Sequence, residues 1–157
     1  MNITNMIVAE SIDEVGIAAL DYFTWGHLFM GVLFFILLSL LHILFRYALN
    51  PASDFSKDPF PIWLAFLITL IIGIVWEPFE NFVLYSWGMK FENRQDSIFN
   101  ALFDIIFVAL AALIYLVLWY LIIKPGEIKT AYITYLIYVL GMVLMVIFHF
   151  VGKMMII

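Results

Sequence analysis

Glu77, Glu80 and Asn81 stand three and four residues apart in one apolar stretch, Asn100 and Asp104 stand four apart in the next, and His27 opens the first. Carboxylates, amides and imidazoles are the groups that ligate divalent cations, pass protons or hold a polar head group. Inside a membrane span such groups cost several kcal/mol unless paired or hydrated, so each is a candidate functional residue. Spacing of three and four gathers Gly73, Glu77, Glu80, Asn81 and Leu84 on one helical face. Pro78 cannot donate a main-chain hydrogen bond and displaces the carbonyl of Ile74, so the helix is expected to kink beside the carboxylates. The oxygen-rich set Glu77, Glu80, Asn81 and Asp104 suits Mg²⁺, Ca²⁺ or Mn²⁺, and His27 would admit zinc or iron. The metal ligands this pattern names are Glu77, Glu80, Asp104 and His27.

Each residue also has a plainer reading. Asp96, Asn100 and Asp104 recur at fours, and Asp96 is expected to be an N-cap or first-turn acid of its helix. Asp104 is too deep for that; its alternative role is a buried carboxylate bonded to a neighbouring helix for packing. His42, beside Arg46, and His149, between Met145 and Lys153, are expected to be interfacial. Asp96, His149 and Arg94 are placed around the cluster rather than in it. The five tryptophans, near span ends, suit the head-group zone.

The elements that must position these groups follow from composition. In 157 residues, 66% apolar and only 12% charged side chains describe a chain for a bilayer, where a soluble domain carries about 25% charged residues. Four stretches reach the ~20 apolar residues a spanning helix needs: Tyr22 to Phe45, Ile62 to Tyr85, Ile98 to Ile123 and Ala131 to Val151. Period-two alternation is absent, which argues against a barrel. The expected fold is all-α: an integral membrane bundle of four transmembrane helices over residues 22–157, preceded by an acidic N-terminal segment, residues 1–21. Glu10, Asp13 and Glu14 interleaved with Ile7, Val8, Ile12 and Val15 suggest a short amphipathic helix lying at the interface, the alternative being a frayed terminus. The connections Asn50 to Pro61, Gly88 to Ser97 and Lys124 to Thr130 are short and turn-rich.

In four antiparallel spans, the start of the first and third and the end of the second and fourth share one membrane face. His27, Glu77, Glu80, Asn81, Asn100, Asp104 and His149 all fall there. At ~1.5 Å per residue, His27 and Asp104 lie ~8–10 Å into the core and Glu77 ~12–15 Å. Lys and Arg divide almost evenly between the two sets of loops, and the wholly acidic N-terminus favours an outside location.

A net charge of −5 without a basic run argues against a nucleic-acid partner, and the absence of cysteine removes thiol catalysis, Cys-ligated metals and disulfides. No His-Glu-x2-His run, Gly-x-Ser-x-Gly elbow or Gly-rich phosphate loop occurs. Lys90 and Arg94 alone stand near enough to the polar layer to meet a lipid phosphate.

At Gly26, His27 and Gly31, at Trp76, Glu77, Glu80 and Asn81, and at Gln95, Asp96, Asn100 and Asp104, the chain resembles the small polytopic VanZ-like and YjdF-type membrane proteins. The resemblance spans about the first three helices. The glycine expected just after the Asp/Asn motif is absent, Phe103 and Asp104 standing there, and the fourth span carries no signature. It implies a four- or five-helix architecture and leaves the reaction open, since VanZ-like proteins are associated with glycopeptide resistance without an agreed chemistry.

Three functions compete: a protein whose acidic layer binds a lipid head group or a divalent cation, a proton- or cation-coupled transporter, and an accessory subunit whose polar residues fasten helices at ~1 kcal/mol or less per bond. The partners implied are membrane lipid and, for the last, other membrane subunits. A divalent metal cation is the cofactor the ligand types suit. A transporter needs a polar route across, and the opposite half offers only His42, Ser39 and Thr69.

Overall fold

The computed structural model describes residues 7–49, 61–90, 93–122 and 128–156. The connection from Asn50 and the Pro-Gly link from Lys124, with Lys57 and Lys124, fall outside the described residues. Four long helices carry the chain: α1 (Thr24–Leu49), α2 (Ile62–Pro78, continued by a π-helical turn, Phe79–Leu84), α3 (Ile98–Ile122) and α4 (Ile128–Ile156). Each contains a window long and apolar enough to cross a membrane. The chain is thus a helical bundle of the membrane-spanning class, with no strand longer than a single bridge among the described residues.

α1 and α3 are the central pair, α2 packs on both, and α4 leans mainly on α1. Only 11% of the α4 window is buried against 39% for α1. Its outer residues, among them Leu136, Leu140 and Phe150, are exposed apolar side chains that water would not tolerate in such number. Between lipid-matched surfaces the helices associate through close packing. Val32, Phe35, Ala111, Ala112 and Tyr138 form the dry centre. Gly31 and Gly73 both admit Val108, a β-carbon on Gly73 meeting Val108 Cγ1 at 2.9 Å.

Each helix start near the acidic layer is capped by side chains. Asp21 Oδ1 accepts from the main-chain N–H of Phe23 at 2.8 Å and Thr24 at 3.2 Å, while Thr24 Oγ1 accepts from Asp21 N–H at 3.1 Å, a reciprocal capping box. Ser97 Oγ accepts from Asn100 N–H at 3.0 Å and so caps α3. The cap is therefore Ser97 and not Asp96, whose carboxylate turns to Lys90.

The N-terminal segment differs from the amphipathic helix its pattern suggests. Among its described residues it holds one short 3₁₀ turn, Ile12–Glu14, and then reverses at Gly16, whose φ is 75°. A left-handed residue ends a right-handed helix, and a β-carbon at Gly16 would also meet Asp96 Oδ1 at 2.7 Å. Val8 pairs with Leu20, and Ala9, Val15, Ala18 and Ala19 are buried. The segment forms a strap folded across the polar end of the bundle.

Candidate functional site

His27 from α1, Glu77 from α2 and Asp104 from α3 meet beneath that strap. His27 Nδ1 lies 3.6 Å from Glu77 Oε1, and His27 Nε2 lies 3.5 Å from Asp104 Oδ2. One ligand atom from each residue falls within 4.8 Å of the other two. The side chains are deeply buried, Glu77 at 4% and Asp104 at 2% exposure. Glu77 Oε1, Asp104 Oδ1 and His27 Nδ1 nevertheless have no hydrogen-bond partner among the described residues. Buried polar atoms are nearly always satisfied, so three adjacent residues that each keep one unsatisfied make this the candidate site.

Asn81 stands beside Glu77 as expected, while the Glu80 carboxylate turns to other partners at the π turn, Phe79–Leu84. A π-helical turn widens the bonding to i+5 and rotates later residues away from the 3.6-residue face on which spacing would put them. Glu80 Oε2 accepts from Trp76 Nε1 at 2.7 Å, and Oε1 lies 3.5 Å from Lys90 Nζ. Glu80 is thus a partner of Trp76 and Lys90 rather than a metal ligand beside His27. Asn81 donates through Nδ2 to the Glu77 carbonyl at 3.1 Å and to Glu77 Oε2 at 3.4 Å, steadying that carboxylate. Its Oδ1 accepts from Lys90 Nζ at 2.9 Å and from Asp96 N–H at 2.7 Å.

Lys90 joins these residues, bonding Asp96 as well as Asn81 and facing Glu80, while only 9% exposed. Sequence reasoning gave it no such role, offering it only as a contact for lipid phosphate. Its signal was present: a lone lysine in a short loop, with Glu80 and Asp96 on either side. Buried charge must be paired, and this lysine is the available partner for both.

Arg94 holds the strap, donating through Nη1 to the Asp13 carbonyl at 2.9 Å and through Nη2 to the carbonyls of Ile12, at 3.1 Å, and Val15. Ser97 N–H donates to the Gly16 carbonyl at 2.7 Å and Ser97 Oγ to that of Ile17 at 2.9 Å; Asn100 Nδ2 donates to that of Ala18 at 2.7 Å. Asn100, expected in the cluster, is therefore a strap anchor. Asp21 Oδ2 accepts from Gly16 N–H at 2.8 Å. Burial pushes the Asp21 carboxyl above its usual range, against the lowering pull of the Gly16, Phe23 and Thr24 amides, with Asp96 adding to the rise.

Under the strap lies a cavity of about 20 Å³, bordered by His27, Lys90, Asp96, Asn100, Asp104 and Gly16 among others. That is room for one water or one monatomic ion. Around it and its neighbouring groove stand five carboxylates, Asp21, Glu77, Glu80, Asp96 and Asp104, against the cations Lys90 and Arg94.

The remaining histidines stand apart. His149 Nδ1 is 3.0 Å from the Tyr22 carbonyl, with its ring edge-on to Tyr22, so α4 docks on the strap end of α1 through it. His42, expected at the interface, is 5% exposed and packs edge-on against Trp119. The half of the bundle around it holds more hydroxyls than the sequence suggested: Ser39 Oγ and Tyr135 Oη are 2.8 Å apart, and Tyr138 Oη donates to the Tyr115 carbonyl at 2.7 Å. Between that half and the acidic cluster lie Val32, Phe35 and Val108, at most 1% exposed.

A family described as "Predicted membrane protein (DUF2238)" matches the chain over residues 7–125. The chain belongs to that family. The DUF2238 match takes in the strap, α1, α2, α3 and every residue of the cluster, and ends before α4. No curated protein and no solved structure matches the chain.

Proposed function

We propose that this membrane protein binds a divalent cation between His27, Glu77 and Asp104, near the strap-covered end of its bundle. The observation that carries the reading is that His27, Glu77 and Asp104 each offer a ligand atom within 4.8 Å of the other two, and that each also keeps one buried polar atom without a partner among the described residues. Ligands on a metal at roughly 2.1–2.4 Å are separated by ~3–5 Å, the spacing found here. With Glu80 committed to Trp76 and Lys90, the ligand set becomes one nitrogen and two carboxylates. That mixture moves the preference from Mg²⁺ and Ca²⁺ toward Mn²⁺, Fe²⁺ or Zn²⁺. The excess of carboxylate over cationic side chains around the cavity favours the same outcome.

The VanZ-like and YjdF-type resemblance supports placing the site on the first three helices, since its motifs carry His27, Glu77 and Asp104. With the N-terminus outside, as its wholly acidic character favours, the site would open on the outer side. A carboxylate at each nitrogen of His27 also suits a proton relay in a transporter. Against that reading stands the dry layer of Val32, Phe35 and Val108, which separates the relay from the hydroxyls beyond. An accessory subunit fastened by these residues would leave the three ligand atoms unexplained.

The test is an electron paramagnetic resonance titration of the purified full chain with Mn²⁺. One tight site in the wild type, lost in Glu77→Gln, is the expected result. Equal Mn²⁺ uptake by both proteins, or none by the wild type, would reject the reading.

A further inference from the structure

The cluster is approached from two directions. At the aqueous end, the cavity of about 20 Å³ beneath the strap admits a water or an ion and nothing larger. From the side, a groove of about 480 Å³ runs between α2 and α3, a size ordinary for a bound organic ligand. Asn81, Gln95 and Asp96 form its loop end, and Ile74, Leu102 and Ile105 its deeper wall. Ile74 and Leu102 are 47% and 54% exposed on the surface that would face lipid, so the groove opens into the bilayer. Glu77 belongs both to this groove and to the His27 cluster.

We propose that the groove seats one lipid with an anionic phosphate head, whose phosphate oxygen completes the coordination of the cation held by His27, Glu77 and Asp104. The inference rests on the cation reading above. Three protein ligands leave positions open on a six-coordinate ion, and Glu77, standing between the ion site and the groove, places those positions within reach of a head group there. The apolar wall takes an acyl chain.

Charge dictates an order of binding. Lys90 is engaged by Asp96, Asn81 and Glu80, and Arg94 by the strap carbonyls, so among the described residues lining the cavity and groove no cationic side chain is left to receive a phosphate. Without the metal, Glu77 and Asp96 repel the head group; with it, the cation cancels the charge of its carboxylate ligands and offers the phosphate oxygen an open coordination position. Lipid binding is therefore conditional on the ion. The strap-side cavity is too small for a phosphate arriving from water, which makes the lateral groove its way in.

The experiment uses the full chain loaded with Mn²⁺ in maltoside micelles, which carry no phosphorus, and reads phosphorus-31 hyperfine coupling to the bound Mn²⁺. Phosphatidic acid should produce the coupling and glycerol phosphate at equal concentration should not. Leu102→Trp and Ala101→Phe, which fill the groove without touching a ligand, should keep Mn²⁺ affinity and lose the coupling. Mn²⁺ bound without coupling to phosphatidic acid overturns this proposal and leaves the cation reading intact. So does equal coupling from glycerol phosphate, which would place the phosphate's source in water, or coupling undiminished in both groove variants. No Mn²⁺ bound to the wild type overturns both readings. Should neither variant fold, the comparison of phosphatidic acid with glycerol phosphate on the wild type decides alone.

Discussion

Gly31 of α1 lies directly on the main chain of Val108 of α3, so that a β-carbon there would meet Val108 Cα at 3.0 Å and collide with its carbonyl oxygen. Backbone meets backbone at this crossing, and neither helix can yield without moving the other. Gly31→Ala is expected to lower stability by about 1–3 kcal/mol, the usual result of overpacking. Gly26→Ala, where a β-carbon meets nothing within 4 Å, should be neutral or slightly stabilising. Melting temperatures of the two variants in detergent test the contrast; equal melting would show that the crossing has slack.

Glu77→Gln and Asp104→Asn separate chemistry from scaffolding. Each keeps the volume and part of the hydrogen bonding and removes the charge, so cation affinity should fall by roughly tenfold or more while melting changes little. Whatever cellular phenotype the protein confers should be lost with the affinity. Wild-type behaviour from both substitutions would favour the accessory-subunit account.

Arg94→Gln should loosen the strap at a cost of about 1–3 kcal/mol, because three main-chain carbonyls lose a charged donor. The natural absence of cysteine makes the effect directly readable. A cysteine placed by Ala18→Cys, fully buried on the inner side of the strap, should resist a water-soluble maleimide in the parent and react readily once Arg94 is replaced. Labelling at the same rate in both backgrounds would show that Arg94 is not the latch.

Lys90→Met should be the most damaging single change in the polar layer, about 3–5 kcal/mol, since it strands Asp96 and Glu80 without their cation. Adding Asp96→Asn should restore part of the loss. Chemical unfolding of the single and double variants measures the coupling, and simple additivity would refute it.

The four spans were legible because an apolar run of helical length has few other uses. The meeting of His27, Glu77 and Asp104 was readable from depth alone, each lying a comparable distance from the same membrane face. Glu80 borders the same cavity as His27 and Asp104, but its commitment to Trp76 and Lys90 was not legible, because spacing along α2 says nothing of which neighbour a carboxylate turns to. The strap was invisible for another reason. Its pattern at Ile7, Val8, Ile12 and Val15 is what an interfacial helix would also show, and what distinguishes the two is a set of partners far along the chain. Ser97 and Asp96 are adjacent and both able to cap a helix, and only the position of Lys90 decides between them.

Those distant partners fix an order of assembly. The carbonyls of Ile12, Asp13, Val15, Ile17 and Ala18 are bound by side chains 79 to 82 positions later. During synthesis this stretch must therefore wait, unsecured, until two further helices have been made and the loop before α3 has emerged. Contacts of such sequence separation form late. The polar end of the nascent bundle stays open to water through that interval. A stretch made before α1 is thus fastened only after α2, and the bundle seals its polar end as the closing act of folding.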